Sequence, residues 1–237
     1  MNRIMLRIVG LGALLGGIAL CLFLLSHGPA LGPWERYGLR GAIAFLAITA
    51  WFWSQSLIGS RPLRGGEITD GIHQLTSPLH AHLVSHPKTA DRVLIISSLF
   101  IDLFGLFLIG AGIFGVTMRP LVGLLILFTF RQVSQALCAL PVPKGMIWRH
   151  PGAPSLLVTY GVGNDFFFSG HTAVATLGAI ELIHVAPLWV GAVAGVIAFL
   201  EAATVLVLRA HYTMDIIAAI GAAWGAFSLA SWLCQTI

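Results

Sequence analysis

Two histidines stand at the mouths of hydrophobic runs: Gly163-Asn164-Asp165-Phe166-Phe167-Phe168-Ser169-Gly170-His171-Thr172 opens one, and Arg209-Ala210-His211-Tyr212-Thr213-Met214-Asp215 opens another. His211 and Asp215 are four residues apart, so on a helix they share a face, and the carboxylate can hold the imidazole proton on one nitrogen. The other nitrogen is then a directed nucleophile, and Asp215 stabilises the imidazolium that forms. His171 suits the acid that protonates a leaving alkoxide and the base that later deprotonates an acceptor, because its reference pKa is about 6.5. These residue types point to transfer at a phosphorus centre. Taken singly, either motif is also an ordinary helix start.

Phosphate calls for positive charge, and Arg131, Lys144, Arg149 and Arg209 are the cations near these motifs in sequence. Arg131 is favoured because a guanidinium can grip phosphate oxygens in a bidentate fork. It lies about 13 Å below the Leu140 end of its segment at 1.5 Å per residue, a depth that demands a partner. Asp102, equally deep in the preceding segment, is the expected partner, either as a staple between helices or as part of substrate binding. Glu181 and His184 read as a local pair three residues apart, and Glu201 has no assigned role. Trp148, Tyr160, Phe166, Phe167, Phe168 and Tyr212 could face a quaternary ammonium group, although aromatic residues are also normal at membrane interfaces.

The elements that must position these groups are membrane helices. Of 237 residues, 57% are hydrophobic and 9% charged, with a mean hydropathy of +0.91, against roughly 25% charged in soluble domains. A crossing takes about 20 apolar residues, and the pattern marks segments 4–25, 37–58, 93–116, 121–140, 171–185, 187–208 and 213–233. The fold expected is an all-α integral membrane bundle of six to seven crossings, a single domain over 1–237, with residues 1–58 supplying N-terminal helices and 93–237 the catalytic core. Arg3 and Arg7 would suit a signal peptide, but the apolar run that follows is longer than an h-region and no clean cleavage signature follows it. A retained helix is expected.

Alternating crossings put the polar insertion 59–92, the Pro- and Gly-rich insertion 141–169 and the junction 209–212 on one membrane face, where chemistry can assemble. Ionisable groups near hydrocarbon cost roughly 2.5–3.5 kcal/mol each, so their gathering at one face points to use. His73, His80, His82 and His86 in the first insertion match no zinc spacing and have no cysteine beside them, so no metal is expected and a solvated or lipid-surface loop is. Cys21, Cys138 and Cys234 fall in apolar segments as small core residues. The net charge of +4 and pI near 9.3 come without a basic stripe, which argues against nucleic acid and for anionic lipid headgroups.

Phe168-Ser169-Gly170-His171-Thr172 and His211-Tyr212-Thr213-Met214-Asp215 resemble the two signature motifs of the sphingomyelin synthase branch of the type 2 phosphatidic acid phosphatase superfamily. Arg131 followed by Leu140-Pro141-Val142-Pro143 is similar to the arginine-bearing helix before those motifs, and the likeness covers residues 93 to the C-terminus. The resemblance implies a PAP2-like core with His211 as nucleophile, Asp215 as its partner and His171 as acid and base. It implies no cofactor and puts Asp165, Ser169, Gly170 and Tyr212 beside the arginines as candidate substrate contacts. Val205 stands where the phosphatase branch has an arginine, and Arg61-Pro62 lacks its upstream lysine, which favours headgroup transfer from a glycerophospholipid to ceramide or diacylglycerol over phosphatase or phospholipase C-like hydrolysis. A transporter or scaffold is the reading from another class. The positive-inside rule would put the histidine-bearing face in the cytoplasm; the resembled family works at the lumenal or external face, and that placement is the one expected here.

Overall fold

The computed structural model describes residues 3–59, 65–161 and 166–235. Among them the regular elements are all helical: α1 (Arg3–His27), α2 (Pro33–Gly59), α3 (Gly71–Leu75), α4 (Ser77–Ser85), α5 (Pro87–Phe114), α6 (Arg119–Leu137), α7 (Gly170–Val185), α8 (Leu188–Val207) and α9 (Thr213–Gln235), with a short 3₁₀ turn at Gly28–Ala30. An apolar solvent leaves no water to satisfy backbone groups, so the chain satisfies them within helices. Five of these, α2, α5, α6, α8 and α9, are long and apolar enough to cross a membrane. The protein is a multi-pass integral membrane protein.

Each of the seven expected segments coincides with a helix, and α7 falls short of that measure. Among the described residues the apolar stretch of α1 is Gly12–Leu24. α7 has 16 residues, about 24 Å at 1.5 Å per residue, less than the roughly 30 Å of bilayer hydrocarbon. It is nonetheless the centre of the bundle, packed against α5, α6, α8 and α9, with Leu177, Gly178 and Glu181 all buried.

Small residues let the helices close on α7, as they must where lipid is as apolar as the side chains. Ala219, Ala223, Ala226 and Ala230 form a fully buried stripe on α9. A Cβ on Gly178 would sit 2.4 Å from Phe104, so only glycine permits this approach of α5 to α7. Around them Leu108, Leu127, Val174 and Leu177 form the main core. A second cluster, Leu83, Leu94, Ile147, Val205, Leu208 and Ile216, lies under the histidine-bearing junction.

Two expected pairs are replaced. Glu181 does not pair with His184: its carboxylate takes Arg119 at 2.7 Å, with further contacts from Nε at 3.1 and 3.2 Å, while His184 Nδ1 donates to the Ile180 carbonyl at 2.8 Å and the ring lies against Phe227. Helix rotation turns Glu181 inward toward the start of α6, a partner invisible to spacing along one helix. Asp102 does not pair with Arg131 either. The helix starts at Pro87, not Val93, and Asp102 meets the second insertion, accepting Leu156 N–H and Leu157 N–H at 2.8 Å each and the Ser155 hydroxyl at 3.1 Å. Irregular backbone at this depth is tolerated because a carboxylate satisfies it.

Candidate active site

The two histidine motifs fold into the N-termini of α7 and α9. Ser169 caps α7, its hydroxyl oxygen accepting from Thr172 N–H at 3.3 Å and from the Thr172 hydroxyl at 3.1 Å. Its own N–H donates to the Asp215 carbonyl at 3.3 Å, which ties the start of one helix to the first turn of the other. At α9 the buried Asp215 reaches back to accept Tyr212 N–H at 2.9 Å, the return half of a capping box. The same oxygen, Oδ2, lies 3.4 Å from His211 Nδ1. That contact lacks hydrogen-bond geometry, and Asp215 Oδ1 has no partner among the described residues; catalytic pairs often tighten only when substrate binds.

His171, His211 and Arg131 line one cleft. Each is about 8% exposed, so the cleft shields all three side chains from bulk water. His171 Nε2 is buried without a partner among the described residues, and Trp148 stands edge-on to the ring at 5.2 Å. Arg131 is held by Nε donating to the Phe168 carbonyl at 3.1 Å and Nη1 donating to Gln55 at 3.3 Å. Its guanidinium lies over Gly170, where an added Cβ would come within 3.2 Å of Nε. Thus Gly170 makes room for the arginine beside His171, while Trp51, Phe128, Trp148 and Phe166 give the cleft aromatic walls.

Much of the first insertion, expected as a solvated or lipid-surface loop, folds into α3 and α4. His73 and His80 are buried, because α3 and α4 fold over the junction before α9. The Asp70 carboxylate caps α3 and also accepts Thr213 N–H at 2.6 Å and the Thr213 hydroxyl at 2.8 Å. His73 Nε2 donates to the His211 carbonyl at 2.9 Å, and its ring stacks on Tyr212. His80 Nδ1 donates to the Val207 carbonyl at 2.8 Å. Burial works against the charged Asp70, but the bonds from Thr213 and the His73 N–H outweigh it and hold its pKa below the usual carboxylate range. Burial also lowers the pKa of His80, which the Val207 bond opposes and the charge of Arg209 reinforces. His82 and His86 remain exposed and stack on one another. Among the described residues no group of three or more His, Cys, Asp or Glu could hold a metal ion.

The other sequence-derived candidates lie around the cleft. Lys144 is exposed and paired with Glu67 at 3.4 Å. Arg149 donates to Asp91 at 2.5 Å and to the Pro87 carbonyl. Arg209 has left-handed backbone (φ 54°) and donates to the Lys144 carbonyl. Tyr212 gives its hydroxyl to the Pro141 carbonyl, and Asp102 braces the loop that carries Leu157, Val158 and Thr159 into the cleft wall. Asp165 lies outside the described residues. Of the suspected aromatic box, Trp148 and Phe166 line the cleft; Phe168 is in the core, and Tyr160 is fastened to Ser98. Glu201 accepts the Ser97 hydroxyl at 2.5 Å. Sequence reasoning missed Trp51 and Gln55, which come from α2, far from the motifs.

The model of the AtPDCT1/2 family matches residues 69–232, well over half of the chain. The chain belongs to the AtPDCT1/2 family. This is the phosphatidylcholine:diacylglycerol cholinephosphotransferase family. It is distinct from the PAP2 superfamily and its sphingomyelin synthase branch, so the resemblance read from the short motifs is corrected: Ser-Gly-His and His-x-x-x-Asp here form helix starts, which such short patterns also describe. The lumenal or external placement rested on that resemblance and loses its support with it. The matched part of this AtPDCT1/2 member begins just before Asp70 and contains Arg131 and both histidine helices, while α1 and α2 lie outside it. No curated protein and no solved structure matches the chain.

Proposed function

We propose that the protein moves a phosphocholine headgroup from phosphatidylcholine to diacylglycerol through a covalent intermediate on His211. The observation that carries this reading is the convergence of Arg131, His171 and His211 on one cleft, with buried Asp215 behind His211. Asp215 keeps the Nδ1 proton, and Nε2 attacks phosphorus. A P–N bond forms, the P–O bond to the glycerol breaks, and the departing alkoxide takes a proton from His171. The second half runs the same step in reverse: His171 removes the proton of a new diacylglycerol hydroxyl, whose oxygen attacks phosphorus and frees His211. Donor and acceptor are one chemical class, so a single acid–base group serves both halves. Arg131 binds the phosphate oxygens in both.

The aromatic walls suit the choline end. A quaternary ammonium cannot donate a hydrogen bond and is held by ring faces within about 6 Å. Trp51, Phe128, Trp148 and Phe166 line the cleft and supply the ring faces for this role. The buried position of both histidines keeps water from competing as acceptor. Because the basic loop residues gather on the histidine-bearing face, the positive-inside rule assigns that face to the cytoplasm. A cysteine introduced beside Lys144 is expected to react with an impermeant maleimide from the cytoplasmic side only.

The test uses purified protein, choline-labelled phosphatidylcholine and a diacylglycerol of distinct acyl composition. Label is expected in phosphatidylcholine carrying the acceptor's chains and, without acceptor, as an acid-labile adduct on the protein that His211→Ala abolishes. Label released as free phosphocholine whether or not acceptor is present would make the protein a hydrolase. An adduct that survives His211→Ala would remove His211 as nucleophile.

A further inference from the structure

A second cavity of about 450 Å³ lies beside the cleft, walled by α1, α2, α5 and α6. Its walls are apolar, with Gly17 on α1, Ala47 on α2, Ile109 on α5 and Leu125 on α6. The hydroxyls that reach it are already spent within their own helices: Ser54 donates to the Trp51 carbonyl and Thr129 to the Leu125 carbonyl. Three residues, Trp51, Phe128 and Leu157, belong to this cavity and to the cleft alike, and the Trp51 and Phe128 rings stack at 5.1 Å. The two spaces share these side chains as a common wall.

We infer that this chamber holds an acyl chain of the lipid whose glycerol end reacts in the cleft, so that α1 and α2 set acyl preference; this rests on the headgroup-transfer reading above. The dimensions fit. The lining runs along α6 from Leu121 to Val133, about 18 Å at 1.5 Å per residue, close to the depth of one leaflet in a hydrocarbon core of about 30 Å. On α2 the lining residues Ile43, Ala47 and Trp51 recur every four positions, a single face leading to the shared wall. At the cleft end Gln132 donates to Gln55 at 3.1 Å while its own Oε1 is buried without a partner among the described residues. A buried acceptor left over at this end of an otherwise apolar slot marks where the acyl chain gives way to the polar glycerol end.

The experiment labels the full-length protein with a diacylglycerol that carries a diazirine near the end of one acyl chain, and maps the adducts by mass spectrometry. Adducts are expected on chamber residues such as Ile18 and Leu125, displaced by unlabelled diacylglycerol and not by phosphatidylglycerol. Ala47→Trp, and Leu125→Trp from the opposite wall should either variant fold poorly, should abolish those adducts. Each should also raise the preference for dioctanoylglycerol over dioleoylglycerol about tenfold, the low end of what pocket fit discriminates. Adducts confined to outward-facing Phe45 and Ile96, equal displacement by phosphatidylglycerol, or a folded tryptophan variant with unchanged labelling overturns the proposal. Chamber adducts in a protein that transfers no headgroup support the chamber and count against the function reading alone.

Discussion

Asp70 holds Thr213 by two bonds across most of the chain, one to its N–H at 2.6 Å and one to its hydroxyl at 2.8 Å. Thr213 begins α9 two residues after His211, so the carboxylate fixes where that helix starts and hence where the histidine ring stands. Asp70→Ala removes the acceptor for the Thr213 N–H and the cap of α3. The loss expected is about 0.5–2 kcal/mol, the range of a lost N-cap, measured as a lower thermal midpoint in detergent. Turnover should fall further than stability accounts for, and Asp70→Asn should recover part of both.

Asp102 is expected to act through the loop it braces. Asp102→Ala removes the acceptor for the N–H groups of the exposed Leu156 and the half-buried Leu157, at a cost of roughly 0.5–1.5 kcal/mol per hydrogen bond lost. Limited proteolysis should then cut near 155–158, where the parent protein resists. Asp102→Asn, with one carboxamide oxygen left to accept, should fall between the two.

The buried clasp predicts a pH dependence. His80 has its folded pKa lowered by burial, so the folded state prefers the neutral ring. At pH above the unfolded value, about 6.5, both states are neutral and the contribution to stability is complete; as pH falls below that value the unfolded chain takes up the proton first and stability declines. Thermal midpoints measured from pH 8 to about 5.5 should drop at the acid end. His80→Asn keeps a donor for the Val207 carbonyl without titrating, and should flatten that limb. An undiminished slope in this variant would assign it to another group.

Arg131→Lys keeps the charge and loses both the Nε bond to the Phe168 carbonyl and the planar fork. Transfer is expected to fall about a hundredfold, the order of a lost charge-stabilising contact in a transition state, with protein folding intact. Gly170→Ala presses a methyl against the same guanidinium and should reduce kcat in the same direction. Unimpaired turnover in Arg131→Lys would exclude bidentate phosphate binding.

The helices were legible because apolar runs near 20 residues leave the backbone little choice; α7 begins at Gly170 and α9 at Thr213, within a residue of expectation. α3 and α4 were missed, although Asp70 and Pro78 carry ordinary helix-start signals. A count of polar residues hid them. The partners of Asp102 and Glu181 were not legible, since they depend on helix rotation and on the path of residues 138–161. Trp51 and Gln55 carry no motif at all; only packing brings α2 to the cleft. The family was misread because five-residue motifs report a local helix start more than a lineage.

The bond from Ser169 N–H to the Asp215 carbonyl joins the starts of α7 and α9 main chain to main chain. Residues lining the neighbouring walls can therefore vary without parting the two helix mouths.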